Sequence, residues 1–311
     1  MEMALYIPSI NVAIQKIVAA YTEEDYLKIK EIMDYVINAE TIAGSEDDYH
    51  NASVGLVRMD DYDNAVFLLE HGLKRYPKST DILADLLEYG LKCRALSEIS
   101  PYYYDKLAKI DRRFWSWRAF HFSIDFHMVY IQYSKSKAQE DEIIDEIEKL
   151  ISDYKEYKPN DERAYMVEHD FYELLNKHDL AQKALKEALE SLKICPQCAL
   201  NYADSLFENG RYEECVPVLE RTVKMSEDQP SINIGYAYYI LALSKEGVLR
   251  DKSKELTADN VKPIYDAYYS AIVSLDDTMD RMKDQCFRRV SILERQSGIE
   301  SGIEKKGGYG Q

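Results

Sequence analysis

Two cysteines at close spacing, Cys195-Pro196-Gln197-Cys198, are the part of this 311-residue chain most able to do chemistry. Such a pair holds zinc when two further Cys or His ligands complete a tetrahedral set. It cycles as a redox dithiol when it sits in a strand-helix-strand setting. Here the nearest further ligands, His178 and Cys215, stand at no standard spacing, and the flanking sequence is helical on both sides. The pair reads as a proline-containing turn carrying two small, half-buried thiols, with metal ligation and redox exchange as the alternatives. No cofactor is expected.

The remaining candidates are weaker as chemistry. His121 and His127 lie six apart, a spacing that does not place them on one helical face as an i, i+4 metal pair would be. Acidic pairs such as Asp141/Asp145 and Glu142/Glu146 have helical spacing on a charged face, which is solvated surface. No catalytic constellation emerges, and an enzyme is not expected. A different signal runs through residues 106–118, where Lys106, Lys109, Arg112, Arg113 and Arg118 surround Trp115 and Trp117. Cations interleaved with aromatic rings can stack and clamp single-stranded nucleic acid, or dock an acidic peptide. They can also be core aromatics whose basic neighbours pair with nearby acids. Arg112, Arg113, Trp115, Trp117 and Arg118 are the candidate partner-binding residues.

The elements that must position these side chains are helices. Hydrophobic residues make up 46% of the chain, with only 12 Gly and 8 Pro, too few for a turn-rich β protein of this size. The stretch 201–225, NYADSLFENGRYEECVPVLERTVKM, has an imperfect copy at 52–77, ASVGLVRMDDYDNAVFLLEHGLKRYP. Each copy reads as a helix, a polar corner and a second helix. The corners are Asn209-Gly210-Arg211-Tyr212 and Met59-Asp60-Asp61-Tyr62. A corner of Gly, Asn or Asp tolerates the left-handed backbone that ends a helix. Small residues beyond it, Cys215 and Ala65, let two helices approach closely.

This unit resembles the tetratricopeptide repeat. The match runs through Tyr62, Ala65, Leu69, Gly72 and Pro77 in one copy, and through Ala203, Leu206, Gly210, Tyr212, Cys215 and Leu219 in the other. The closing Pro230 comes late, and Thr222 stands where the family has Ala. A third copy at 172–196 fits at Ala184, Ala188 and Pro196, but its corner, Lys177-His178-Asp179, lacks Gly. The resemblance implies a right-handed superhelical solenoid of antiparallel helix pairs that binds a protein or peptide on a concave face lined by the first helix of each pair. The family's carboxylate clamp is not supported, because Asn51, Arg58 and Asn201 occur without a Lys at a suitable repeat position.

One all-α helical-repeat domain is expected over residues 1–296. Its clearest repeats lie near 45–77, 162–196 and 197–230, its aromatic-rich middle near 100–135, and its capping helices near 261–295. Residues 245–260 read as a polar connector, and the Gly-rich 297–311 as a disordered tail. The formal net charge of −17 disfavours nucleic acid or an anionic membrane as the main ligand and favours a basic protein or peptide. No apolar run approaches the roughly 18 residues of a membrane span, nor does the start read as a targeting segment. Five cysteines, an odd number, suit reduced thiols in the cytoplasm. The expected function is a non-enzymatic adaptor or regulatory scaffold, the alternative a sensor that recognises nucleic acid or a small ligand through residues 106–118.

Overall fold

A computed structural model describes residues 7–38, 42–93, 98–228, 233–252 and 255–303. Among them the chain is all-helical apart from turns and one isolated bridge between Ser9 and Ala43. The helices are α1 (Ile10–Thr22), α2 (Tyr26–Asn38), α3 (Glu46–Arg58), α4 (Tyr62–Arg75), α5 (Thr80–Lys92), α6 (Ser100–Leu107), α7 (Trp117–Ile131) and α8 (Lys137–Tyr157). They continue as α9 (Arg163–Leu174), α10 (His178–Ser191), α11 (Pro196–Glu208), α12 (Tyr212–Asp228), α13 (Ile234–Asp251), α14 (Ala258–Ser274) and α15 (Asp280–Ser297). No described helix is long and apolar enough to cross a membrane.

The chain divides into two compact units, Met1–Ala164 and Tyr165–Gln311, with the division in the first turn of α9. The aromatic middle therefore belongs wholly to the first unit. In that unit the pairs α1–α2, α3–α4, α5–α6 and α7–α8 stack so that α1, α3, α5 and α7 pack in sequence. In the second unit α10 to α15 pack each on the next, around a core that includes Leu206, Cys215, Leu219, Tyr268 and Val290.

Four helix pairs share one corner. Glu24, Asp60, Asn176 and Gly210 all have positive φ, between 56° and 70°, and the next helix starts two residues later in each case. The amide after each of them closes a bond five residues back: Asp25 to Ala20, Asp61 to Leu56, Lys177 to Tyr172 and Arg211 to Leu206, at 2.8–3.0 Å. This is the Schellman closure, which satisfies carbonyls left over at a helix end. Past three of these corners a small residue at the fourth helical position, Ala65, Ala181 or Cys215, is fully buried. In the α1–α2 pair Ile29 takes that place.

Two expectations change. Residues 245–251 are the last turns of α13, not connector, so the link to α14 begins at Lys252. Residues 298–303 pack where a disordered tail was expected: Ile299 and Ile303 lie against the second unit's core, and the Tyr265 hydroxyl donates to the Ile299 carbonyl at 3.0 Å. Residues 304–311 lie outside the described residues, as does Pro230.

Candidate interaction surface of the first unit

The basic-aromatic run does not form one patch. A 3-10 turn over Arg112–Phe114 turns the chain between α6 and α7, so residues close in sequence face different neighbours. Trp115 goes inward and is fully buried. Its indole Nε1 donates to the Ile110 carbonyl at 3.0 Å, and its ring lies 5.2 Å from Phe120, which stacks on Tyr154 at 5.0 Å. Trp115 therefore offers no surface to a partner. Arg112 is committed to α8, where it pairs with Glu146 and with Asp153 at 2.6 Å. Arg113 stays exposed and grips Asp111 in a fork, which holds that carboxyl down at about 2.

Trp117 and Arg118 stand at the start of α7, and Arg118 faces α3 and α5. The Arg163 guanidinium lies 3.7 Å over the Trp117 ring and is itself held by Asp161 at 2.7 Å. Arg118 pairs with the wholly buried Asp85 of α5 and reaches His50 of α3, with Nη1 2.8 Å from Nε2. His50 Nδ1 lies 2.9 Å from the second Asp85 oxygen. Glu88 approaches Arg118 at 3.4 Å and pairs with Lys92. Burial first, and Arg118 second, push the His50 imidazole below its ordinary range, against the pull of Asp81, Glu88 and Asp47.

Asp47 is exposed and Asp81 half-buried, and both act on His50. Neither makes an ion pair or hydrogen bond through its side chain among the described residues. Sequence reasoning missed this cluster because its members come from three helices, His50 and Arg118 alone being 68 positions apart. The spacing of Asp47 and His50, or of Asp81, Asp85 and Glu88, looks like ordinary solvated helix face.

Cys195 and Cys198 are fully buried at the start of α11, and neither forms a disulfide. The Cys195 thiol lies 3.6 Å from the Ala188 carbonyl. Among the described residues no group of three or more His, Cys, Asp or Glu side chains is placed to hold a metal. Of the repeat-packing residues, Ala65, Ala184, Ala203 and Cys215 are buried, and a Cβ on Gly72 would meet the Tyr49 ring at 2.8 Å. Tyr62 meets Tyr89 edge-on, and Tyr212 meets Phe207 in the same way.

No protein-family model matches the chain, and no curated protein gives a significant match. Solved structures do. A crystal structure of a thermophilic tetratricopeptide-repeat protein of Thermus thermophilus is similar with a TM-score of 0.45 at 18% identity, over 66% of this chain and 100% of that one. A human IFIT1 dimer with m7Gppp-AAAA is similar with a TM-score of 0.39 at 11% identity, over 94% of this chain and 66% of that one.

Proposed function

We propose that this chain is a non-enzymatic interaction scaffold whose first unit docks a basic segment of a partner protein on the face formed by α3, α5 and α7. The observation that carries the reading is the pair Asp47 and Asp81, two carboxylates with no side-chain hydrogen bond or ion pair among the described residues, beside a histidine whose burial disfavours its charged form. A Lys or Arg side chain laid between them gains charge-assisted hydrogen bonds without displacing an existing pair. The net charge of −17 adds long-range attraction for such a segment. The cysteines, none of them in a disulfide, favour a reducing compartment, the cytoplasm. A nucleic-acid reading of residues 106–118 draws no support from their side chains, since Arg112 and Arg118 are already paired with acids and Trp115 is inaccessible.

The test is fluorescence anisotropy with a panel of Lys/Arg-rich peptides, and a single-stranded oligonucleotide as comparison. The double substitution Asp47→Lys, Asp81→Lys is expected to weaken peptide binding at least ~10-fold, the scale of one or two charge-assisted bonds. Unchanged affinity, or tighter binding of the oligonucleotide than of any peptide, refutes the reading.

A further inference from the structure

The last described helix, α15, keeps its packing residues on one side. Met282, Cys286, Val290 and Leu293 lie against the second unit's core, and Arg289 is tied to Glu246 of α13. The other side is not the purely polar face that closes a helical stack. It carries a groove of about 510 Å³, lined by Phe287, Arg288, Ser291, Ile292 and Arg295 together with Ile303 of the segment after Gly298. Phe287, Ile292 and Ile303 are each partly exposed, and Asp284 is the one acid among the lining residues.

Arg288 and Arg295 are seven residues apart, which places them on the same side of the helix, two turns or roughly 10 Å from each other. Arg281 continues the row by the same step. All three are exposed, and none makes an ion pair among the described residues; Arg295 Nε donates to the Ser291 carbonyl at 3.1 Å. Glu294, the acid next to Arg295, is committed to Ser301, whose amide donates to it at 2.8 Å and whose hydroxyl donates at 2.5 Å. On a chain of net charge −17, cations without acids beside an apolar groove run against the rest of the surface.

We propose that this groove docks an amphipathic acidic helix of a partner protein, with its apolar stripe on Phe287, Ile292 and Ile303 and its carboxylates on Arg288 and Arg295. The stacking of the second unit favours a helix as occupant: α10 to α15 pack each on the next, and a partner helix laid on α15 repeats that step. Ser291, small and exposed between the two arginines, lets that helix approach closely. Charge favours acids, since a guanidinium takes a carboxylate through two parallel N–H donors. Other occupants complement the groove less well. A second copy of α15 would set arginine against arginine. The residues that follow Ile303 bring Lys305 and Lys306 against one acidic side chain, Glu304. A nucleic acid strand would have to approach a chain of net charge −17.

The probe is a fluorescein-labelled synthetic helix of about 20 residues, long enough to form in water, with Leu at heptad positions and Glu flanking them. Its twin has the same composition in scrambled order. By fluorescence anisotropy with the full chain, the amphipathic probe is expected to bind and the twin to bind at least ~10-fold more weakly. Arg288→Glu with Arg295→Glu is expected to weaken the probe at least ~10-fold, because two attractions become repulsions. Ile292→Ser, which leaves the charges in place, is expected to weaken it roughly 5-fold. Both arginines are exposed, so the double variant should keep the wild-type circular dichroism and melting temperature, and lost binding is then not lost folding. Equal affinity for the two peptides, or unchanged affinity in the double variant, overturns the proposal. So does a single-stranded oligonucleotide that binds more tightly than the probe and is released by the same substitutions. Self-association in sedimentation that those substitutions abolish would make a second copy the occupant, and overturns it too. Asp47 and Asp81 line no part of this groove, so its failure and a failure of basic-peptide docking are told apart.

Discussion

Trp115 carries a large share of the first unit's packing. It bridges the 3-10 turn to α7 through Phe120, and α7 to α8 through the stack on Tyr154. Trp115→Ala removes a fully buried indole and strands the Ile110 carbonyl, so a loss of about 3–5 kcal/mol is expected by urea unfolding. Trp117→Ala leaves a smaller void because the ring is only half-buried and Arg163 covers one face. Its cost should be well below that of Trp115→Ala, and equal costs would contradict the division of roles. The sequence could show that residues 112–118 concentrate rings and cations. It could not show which ring turns inward, because a 3-10 turn has neither the helical nor the strand period from which faces are read. The same limit hid the His50 cluster, which exists only once three helices are stacked.

Helix corners were the most legible elements. Gly210 and Asp60 marked their corners by residue type, since both tolerate positive φ. The α9–α10 corner was partly legible, its left-handed residue being Asn176, just before the expected stretch. The α1–α2 corner was not, because Glu24 is an uncommon choice for that backbone. The end of α13 was misread for a related reason: Lys245, Glu246 and Gly247 look like loop composition. Packing explains why they are helical. Lys245 pairs with Glu220 of α12, Glu246 with Arg289 of α15, and Gly247 lets the Tyr212 ring lie against the backbone. A Cβ at Gly247 would come within 2.5 Å of two Tyr212 ring atoms. Two effects then compete. Alanine favours the helix over glycine by about 1 kcal/mol, while overpacking costs typically 1–3 kcal/mol. The ring is a rigid body, not the end of a flexible chain, so overpacking should win. Gly247→Ala is expected to destabilise by about 1–2 kcal/mol in chemical denaturation; a more stable variant would mean that α12 and α13 separate without cost.

Across the whole molecule, charge sets how stability answers to salt and pH together. A net charge of −17 makes the folded chain repel itself, and that repulsion is screened as the Debye length falls from about 30 Å at 0.01 M salt to about 10 Å at 0.1 M. The melting temperature should therefore rise with salt at pH 7.5. Lowering the pH toward the isoelectric point near 4.9 relieves the same repulsion, which by itself stabilises. The partly buried histidines act the other way. Burial drives His127 down to about 4, and His50 is lowered as well. A histidine whose folded pKa lies below its unfolded value is favoured neutral in the fold. Its contribution is present above about pH 6.5 and is lost as the pH falls toward the folded value. At pH 5.5 His127 alone has given up about 1 kcal/mol, one pH unit below its unfolded pKa. In 0.5 M salt, with the repulsion screened, the histidine loss should dominate and the melting temperature should drop between pH 7.5 and 5.5. In 10 mM salt the relief of repulsion opposes it, so the drop should shrink or reverse. A thermal-melting grid over pH and salt checks this. Identical pH curves at the two ionic strengths would mean that the surface charge is already balanced locally by ion pairs such as those of Arg112 and Arg211, and that the net −17 has no weight in folding.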